Sequence, residues 1–331
     1  MHDKEKGGYK TIDLATLSPS KQADLARRGY RPCPNPSGDS VPHYLPATYA
    51  DYGDPLVIGL VGGSGSGKTH LLTAMIRETY RGGLGPHRVH AAALDFRRHT
   101  AFRTNFVEPF EDGGALPATS HGVFEAADIL LLRGPGGTRP VTFVDVAGED
   151  LESTEALNSS TRFLLAVNAV IFVCAPEDTS APGVLTGSEN KSFEMAVERL
   201  DGLPGGAARV PASIVVTKSD RLRYLPPADR WLRRHDPALD AARIRAESRD
   251  VYAYLHRIGA AASLRPFDAF TRCTLHFASA SGGDALPVAG RDGEYYFPRG
   301  ISPVRVLEPL VAVLAMTGMI TGPEADKVGL P

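Results

Sequence analysis

Leu56-Val57-Ile58-Gly59-Leu60-Val61 runs straight into Gly62-Gly63-Ser64-Gly65-Ser66-Gly67-Lys68-Thr69. The first block is short, continuous and apolar, as strands covered on both faces are. Beyond the glycines, Leu71, Leu72, Met75, Ile76 and Tyr80 recur at helical spacing. The middle block therefore fits G-x-x-x-x-G-K-[ST] in the strand–loop–helix setting that pattern requires. Glycines let successive backbone N–H groups curl around phosphate oxygens, where a Cβ would collide. Lys68 carries positive charge to the β- and γ-phosphates, the helix N-terminus adds its partial charge, and Thr69 offers a hydroxyl to Mg²⁺. Gly62, Gly63, Ser64, Gly65, Ser66, Gly67, Lys68 and Thr69 form the expected nucleotide-contacting set, with His70 beside them on the helix surface. The loop alone does not separate ATP from GTP.

Working outward, further β-rich runs occur at 129–132, 141–146, 169–174, 213–216 and 274–277, with helices between most of them. That alternation predicts a three-layer α/β fold, a mainly parallel sheet with helices on both faces. Ile244, Ser248, Val251, Leu255 and Ile258 trace one stripe of a helix over 239–258, and 302–320 reads as a closing helix. Arg-Gly-Pro-Gly-Gly-Thr-Arg-Pro (133–140) is too short for a parallel crossover and suits a hairpin. The strand that follows it, 141–146, is therefore expected to run antiparallel to the one before. It ends in Asp145-Val146-Ala147-Gly148-Glu149-Asp150. Asp145, at a carboxyl end beside the phosphate loop, suits a Mg²⁺ ligand. The Gly148 N–H suits the γ-phosphate, and glycine's freedom in φ suits a loop that switches.

Strand 213–216 leads into Thr217-Lys218-Ser219-Asp220. A carboxylate there accepts hydrogen bonds from guanine N1–H and the exocyclic amine, donors that adenine lacks, and a site built for that pair rejects the analogue without it. The Lys218 stem is placed to lie over the base. Strand 274–277 leads into Ala278-Ser279-Ala280-Ser281-Gly282, where a backbone N–H near Ala280, beside Ser279, suits guanine O6.

With these four stations in order, residues 55–320 resemble the Ras-like, translation-factor-related class of P-loop GTPases. An antiparallel strand beside the metal-binding strand is the mark of that branch. Within it the chain looks most like the bacterial double-GTPase domains of multi-gene conflict or signalling systems. That finer likeness rests on Val61–Thr69, the wide insertion before Thr119 and the run Val304-Arg-Val-Leu-Glu-Pro-Leu. The resemblance implies a Mg²⁺-dependent GTPase cycling between GTP and GDP as a switch, with Lys68, Gly148 and Glu149 as its catalytic set and a protein effector or activator as its partner. It also implies a switch threonine that binds Mg²⁺. Thr100, Thr104, Thr119 and Ser120 are the candidates, and Thr119, in a Gly/Pro-rich context, is favoured. The chain departs from the class at Thr217, where Asn is commonest, and at Glu149, where a water-orienting glutamine is usual. A carboxylate facing a γ-phosphate predicts slow unassisted hydrolysis. Two alternatives stay open: a GTP-dependent scaffold that barely hydrolyses, and an ATPase using the same loop with Glu149 as base.

Composition sets the outer bounds. The 331 residues carry 36 Lys and Arg against 38 Asp and Glu, a net charge of −2, so general affinity for nucleic acid or anionic membrane is not expected. Three cysteines form no disulfide framework and suggest a reducing cytoplasm, with Cys174 and Cys273 as core residues and Cys33 without a zinc partner. No apolar run follows the N-terminus, and the apolar stretch near 309–320 is too short to span a bilayer. Residues 1–54 read as a Pro-rich arm, lying on the body or partly loose. Residues 55–322 read as the nucleotide domain, with insertions near 82–128 and 221–260, and 323–331 as a tail. The basic stretch 97–103 reads as a solvated face, with a built-in arginine finger as the alternative. Eight arginines between 221 and 249 stand against four acids, which suits a helical insert or a dock for an acidic partner. Trp231 reads as a packing anchor.

Overall fold

Alternate residues of the first apolar strand point to opposite faces, and both faces are covered. Leu56, Ile58 and Leu60 enter one hydrophobic cluster and Val61 another. Ala169, Ile171 and Val173 likewise divide from Val170, Phe172 and Cys174. A computed structural model describes residues 2–3, 8–33, 44–117, 126–145, 166–176, 187–202, 206–234 and 238–330. Its main sheet has seven strands: β1 (Leu56–Val61), β2 (His90–Ala93), β3 (Ala126–Gly134), β4 (Gly137–Asp145), β5 (Ala169–Cys174), β6 (Ala212–Val216) and β7 (Cys273–Phe277). Their order is β7-β6-β5-β1-β4-β3-β2. All run parallel except β3, which pairs antiparallel with both β4 and β2. The chain is thus a three-layer α/β protein.

Six of the helices pack against this sheet or border the site: α1 (Lys68–Tyr80), α2 (Phe96–Phe102), α3 (Gly187–Asp201), α4 (Ala241–Arg257), α5 (Ala261–Ala269) and α6 (Glu308–Met316). Helices α1 and α6 fill one face of the sheet, while α3, α5 and much of α4 fill the other. Helix α6 starts later than the hydrophobic run suggests. Val304 is engaged in a bridge with Ser279, and Pro309 sits in the first turn, where its missing N–H costs nothing. Strand β2 was not legible in His90-Ala91-Ala92-Ala93, which lacks β-branched residues. Its tertiary pairing with β3 overrides that propensity.

Helix α4 covers the free edge of β7. The Leu275 N–H donates to Ser248 Oγ (2.9 Å), the Phe277 N–H to Glu247 Oε1 (3.1 Å), and the Cys273 N–H to the Gly329 carbonyl (3.1 Å). An edge strand whose outward donors are all engaged offers no template for another chain. Glu247 is buried and also meets Arg305 Nη2 (2.6 Å) and His276 Nδ1 (3.0 Å). Burial alone would raise its pKa, yet His276, Arg305 and the Phe277 N–H together hold it below the ordinary carboxylate value.

The residues read as a Pro-rich arm lie on the body where they are described. Ala47 is buried, the Tyr30 hydroxyl donates to Asp95 (2.7 Å), and Arg97 lies over the Tyr9 ring. Residues 323–327 form a short helix, and Ala325 and Val328 join the core. Trp231 is buried, its indole N–H donating to Asp250 (2.6 Å), and Cys174 and Cys273 are buried free thiols. Among the arginines of 221–249, Arg221, Arg230 and Arg243 pair with Asp284, Asp250 and Asp240. Among the described residues no helix is long and apolar enough to cross a membrane.

Candidate functional site

The parallel strands deliver their carboxyl ends to one rim, and the loop between β1 and α1 lies at its centre. A Cβ at position 62 would stand 2.3 Å from the Val173 carbonyl oxygen of β5, so the chain must be glycine there. Gly67 caps α1 at φ 86°, a left-handed conformation that side chains disfavour. Lys68 is 6 % exposed, and its ammonium donates to the carbonyls of Gly62 (2.6 Å) and Gly63 (2.9 Å). A charge that deep needs oxygen partners, and the loop's own carbonyls supply them. Ser66 is buried and its hydroxyl donates to Gly63 O (2.9 Å), while Ser64 is exposed.

Asp145 is the last residue of β4, in register with Leu60 of the adjacent parallel strand. That register brings its Oδ2 to 3.1 Å from the Thr69 hydroxyl, which donates to it. A hydroxyl and a carboxylate are hard oxygen donors. Both are of the donor type that Mg²⁺ takes. Among the described residues no cluster of three or more His, Cys, Asp or Glu side chains forms an all-protein metal cage.

The ends of β6 and β7 meet on the same rim. Thr217 is buried, with its hydroxyl 3.0 Å from the Cys174 carbonyl and 2.5 Å from the carbonyl of Ser66. The contact to Ser66 ties the segment after β6 directly to the loop between β1 and α1. Lys218 follows in a left-handed conformation (φ 50°), with its stem beside Gly67. Asp220 is 7 % exposed. The Ser279 hydroxyl donates to its Oδ1 (2.5 Å) and accepts from the Gly282 N–H (2.9 Å). Ser279 is fixed in turn by a two-way backbone bridge with Val304 (2.9 and 2.8 Å), and Ala280 lies next to it, nearly buried. The Ser219 N–H donates to the Ala278 carbonyl (3.2 Å), joining the two loops.

His70, expected on the helix surface, is half-buried. Its Nε2 accepts from the Leu116 N–H (3.0 Å), and its ring meets those of Phe110 and Phe297 edge-on. Burial, aided by the Lys218 ammonium, pushes the imidazole down to about 4. Its role is to hold the segment that leads toward Thr119. Nothing local in the sequence signals this contact, because Leu116 and Phe297 lie 46 and 227 positions away.

The fold brings Lys68, Thr69, Asp145, Thr217, Lys218, Asp220, Ser279 and Ala280 to one rim. Thr119, Gly148 and Glu149 lie outside the described residues. No protein-family model matches this chain, and no curated protein is significantly similar to it.

Proposed function

We propose that this chain binds a guanine nucleotide across the rim and hydrolyses GTP to GDP and phosphate with Mg²⁺, as a nucleotide-dependent switch. The observation that carries the reading is the hydrogen bond between the Thr217 hydroxyl and the Ser66 carbonyl. It joins the loop that presents Asp220 to the loop that presents Lys68, so a lysine suited to phosphate and a carboxylate suited to guanine serve one crevice. The antiparallel β3 beside the Asp145 strand supports the GTPase reading over the ATPase one.

In this reading Lys68 exchanges the Gly62 and Gly63 carbonyls for β- and γ-phosphate oxygens. Thr69 and Asp145 would hold Mg²⁺, which would supply charge neutralisation at the phosphates. Lys218 covers the base, and Asp220, held by Ser279, accepts the two guanine donors. Catalysis is positioning and charge stabilisation. Glu149 makes unassisted turnover slow, and a partner supplies the missing positive charge. The function falls within the bacterial signalling or conflict systems to which the sequence resemblance points, and the protein works in the cytoplasm.

The nucleotide that co-purifies with the full chain tests the reading directly. GTP or GDP is expected, and ATP or ADP would sink it. Competition between GTP and ATP, repeated with Asp220→Asn, tests the base assignment, because the variant should gain preference for xanthosine triphosphate. Phosphate release with and without cell extract separates an assisted GTPase from a scaffold that does not turn over.

A further inference from the structure

Along α4, Ala241, Ile244, Arg245, Ser248, Arg249 and Tyr252 fall at the three- and four-residue steps that share one helix face. That face forms a wall of a cavity of about 340 Å³. Phe267 and Phe270 contribute to the lining, as do Lys327 and Leu330 near the end of the chain. The Tyr252 and Phe267 rings are in contact, with centroids 5.3 Å apart. Cys273 and Thr274 also line the cavity and belong to the amino end of β7. The nucleotide rim follows the carboxyl ends of the strands, so the two sites lie at opposite ends of β7.

The chemistry of the lining is one-sided. Three cations border the cavity, Arg245, Arg249 and Lys327, and among the described residues no Asp or Glu lines it. The Lys327 ammonium is held by Glu324 (2.8 Å), which lies outside the lining. The Arg245 Nε is buried without a hydrogen-bond partner among the described residues, and a buried donor of that kind is costly to leave unmet. Aromatic walls with cationic side chains on the lining, in a volume of this order, describe a small-molecule site.

We propose that this cavity binds an amphipathic organic anion, a carboxylate or phosphate head on an apolar body. Arg245 and Arg249 hold the head, and Tyr252, Phe267 and Phe270 enclose the body. The assignment is independent of the nucleotide reading.

Isothermal titration of the full chain with decanoate, below its micelle concentration, tests it. Decyltrimethylammonium, which has the same tail and the opposite charge, is the control. Saturable one-to-one decanoate binding is expected, with no binding of the cation. Arg249 is exposed, so Arg249→Glu should fold and should weaken decanoate by about tenfold or more, and Arg245→Gln should act in the same direction. Absence of decanoate binding, equal binding of both amphiphiles, or unchanged affinity in Arg249→Glu would overturn the proposal. So would a concentration-dependent dimer that Arg249→Glu abolishes, because a second copy would then occupy the groove.

Discussion

The two ends of the rim are built differently. At the end proposed to read the base, the polar side chains are held by partners remote in sequence: Thr217 by Ser66, 151 positions away, and Asp220 by Ser279, 59 away. Behind them, Glu247 joins α4, the β7 backbone and Arg305 into one buried unit. At the end proposed for the phosphates, Lys68 bonds the loop it belongs to, five and six positions back. The Thr69–Asp145 contact there reaches across the fold, as does the Thr217 bond to the Ser66 carbonyl. A base is a rigid, neutral shape, and reading it requires donors and acceptors already in place. A triphosphate with its metal brings charge of its own. A lysine satisfied by loop carbonyls can be recruited to it without leaving the loop.

Breaking the scaffold behind the base end should have the largest effect. Glu247→Gln removes the closer of the two carboxylates that pair with buried Arg305 and leaves it Glu308 alone (3.3 Å), so denaturant unfolding should report a loss of about 3 kcal/mol. The same group sets an acid limit. Its carboxyl titrates below the ordinary 4.5 in the fold. Its contribution is therefore complete above that pH and is lost as the pH falls below it, which thermal melts across an acid series should record. A variant as stable as the parent would show that this end is not held as described.

Next comes the charge at the phosphate end. Lys68→Ala should lower the rate of GTP hydrolysis by about 100-fold to 1000-fold while leaving the melting temperature nearly unchanged, as phosphate release and a thermal scan would show. A large loss of stability instead would mean that the lysine's role is to hold its own loop. Asp220→Asn should weaken GTP by about 100-fold and leave binding of the triphosphate portion intact, measured by competition with inosine and xanthosine triphosphates. Ser279→Ala makes the smallest change. It removes one hydrogen bond to Asp220, and guanine preference over adenine should fall by about tenfold. Equal loss of GTP and ATP affinity in that variant would place Ser279 in the fold rather than in base recognition.

Much of this architecture was legible because it is local. Leu56–Val61, the glycine loop and the stripe of α1 are contiguous, and their residue types carry the physics of a covered strand, a tight glycine turn and a buried helix. The turn at 133–140 was readable for the same reason, and it yielded the antiparallel pairing of β3 and β4. What escaped depended on partners far along the chain. His90–Ala93 is a strand only because β3 offers it an edge. His70 is held by Leu116 and two phenylalanines that no spacing rule connects to it. The α4 stripe was recognisable as a helix, but its work in satisfying the edge of β7 was not.

The sequence alone therefore determined most element types and the glycine loop that carries Lys68 and Thr69 between a strand and a helix, since each is set by short-range sterics and hydrogen-bonding capacity. Only the tertiary structure decided that Thr217 would clamp onto Ser66, that Ser279 would orient Asp220 and that Glu247 would seal the sheet edge. Those contacts join residues tens of positions apart, and burial makes each one costly to leave unmet once the strands have taken their places.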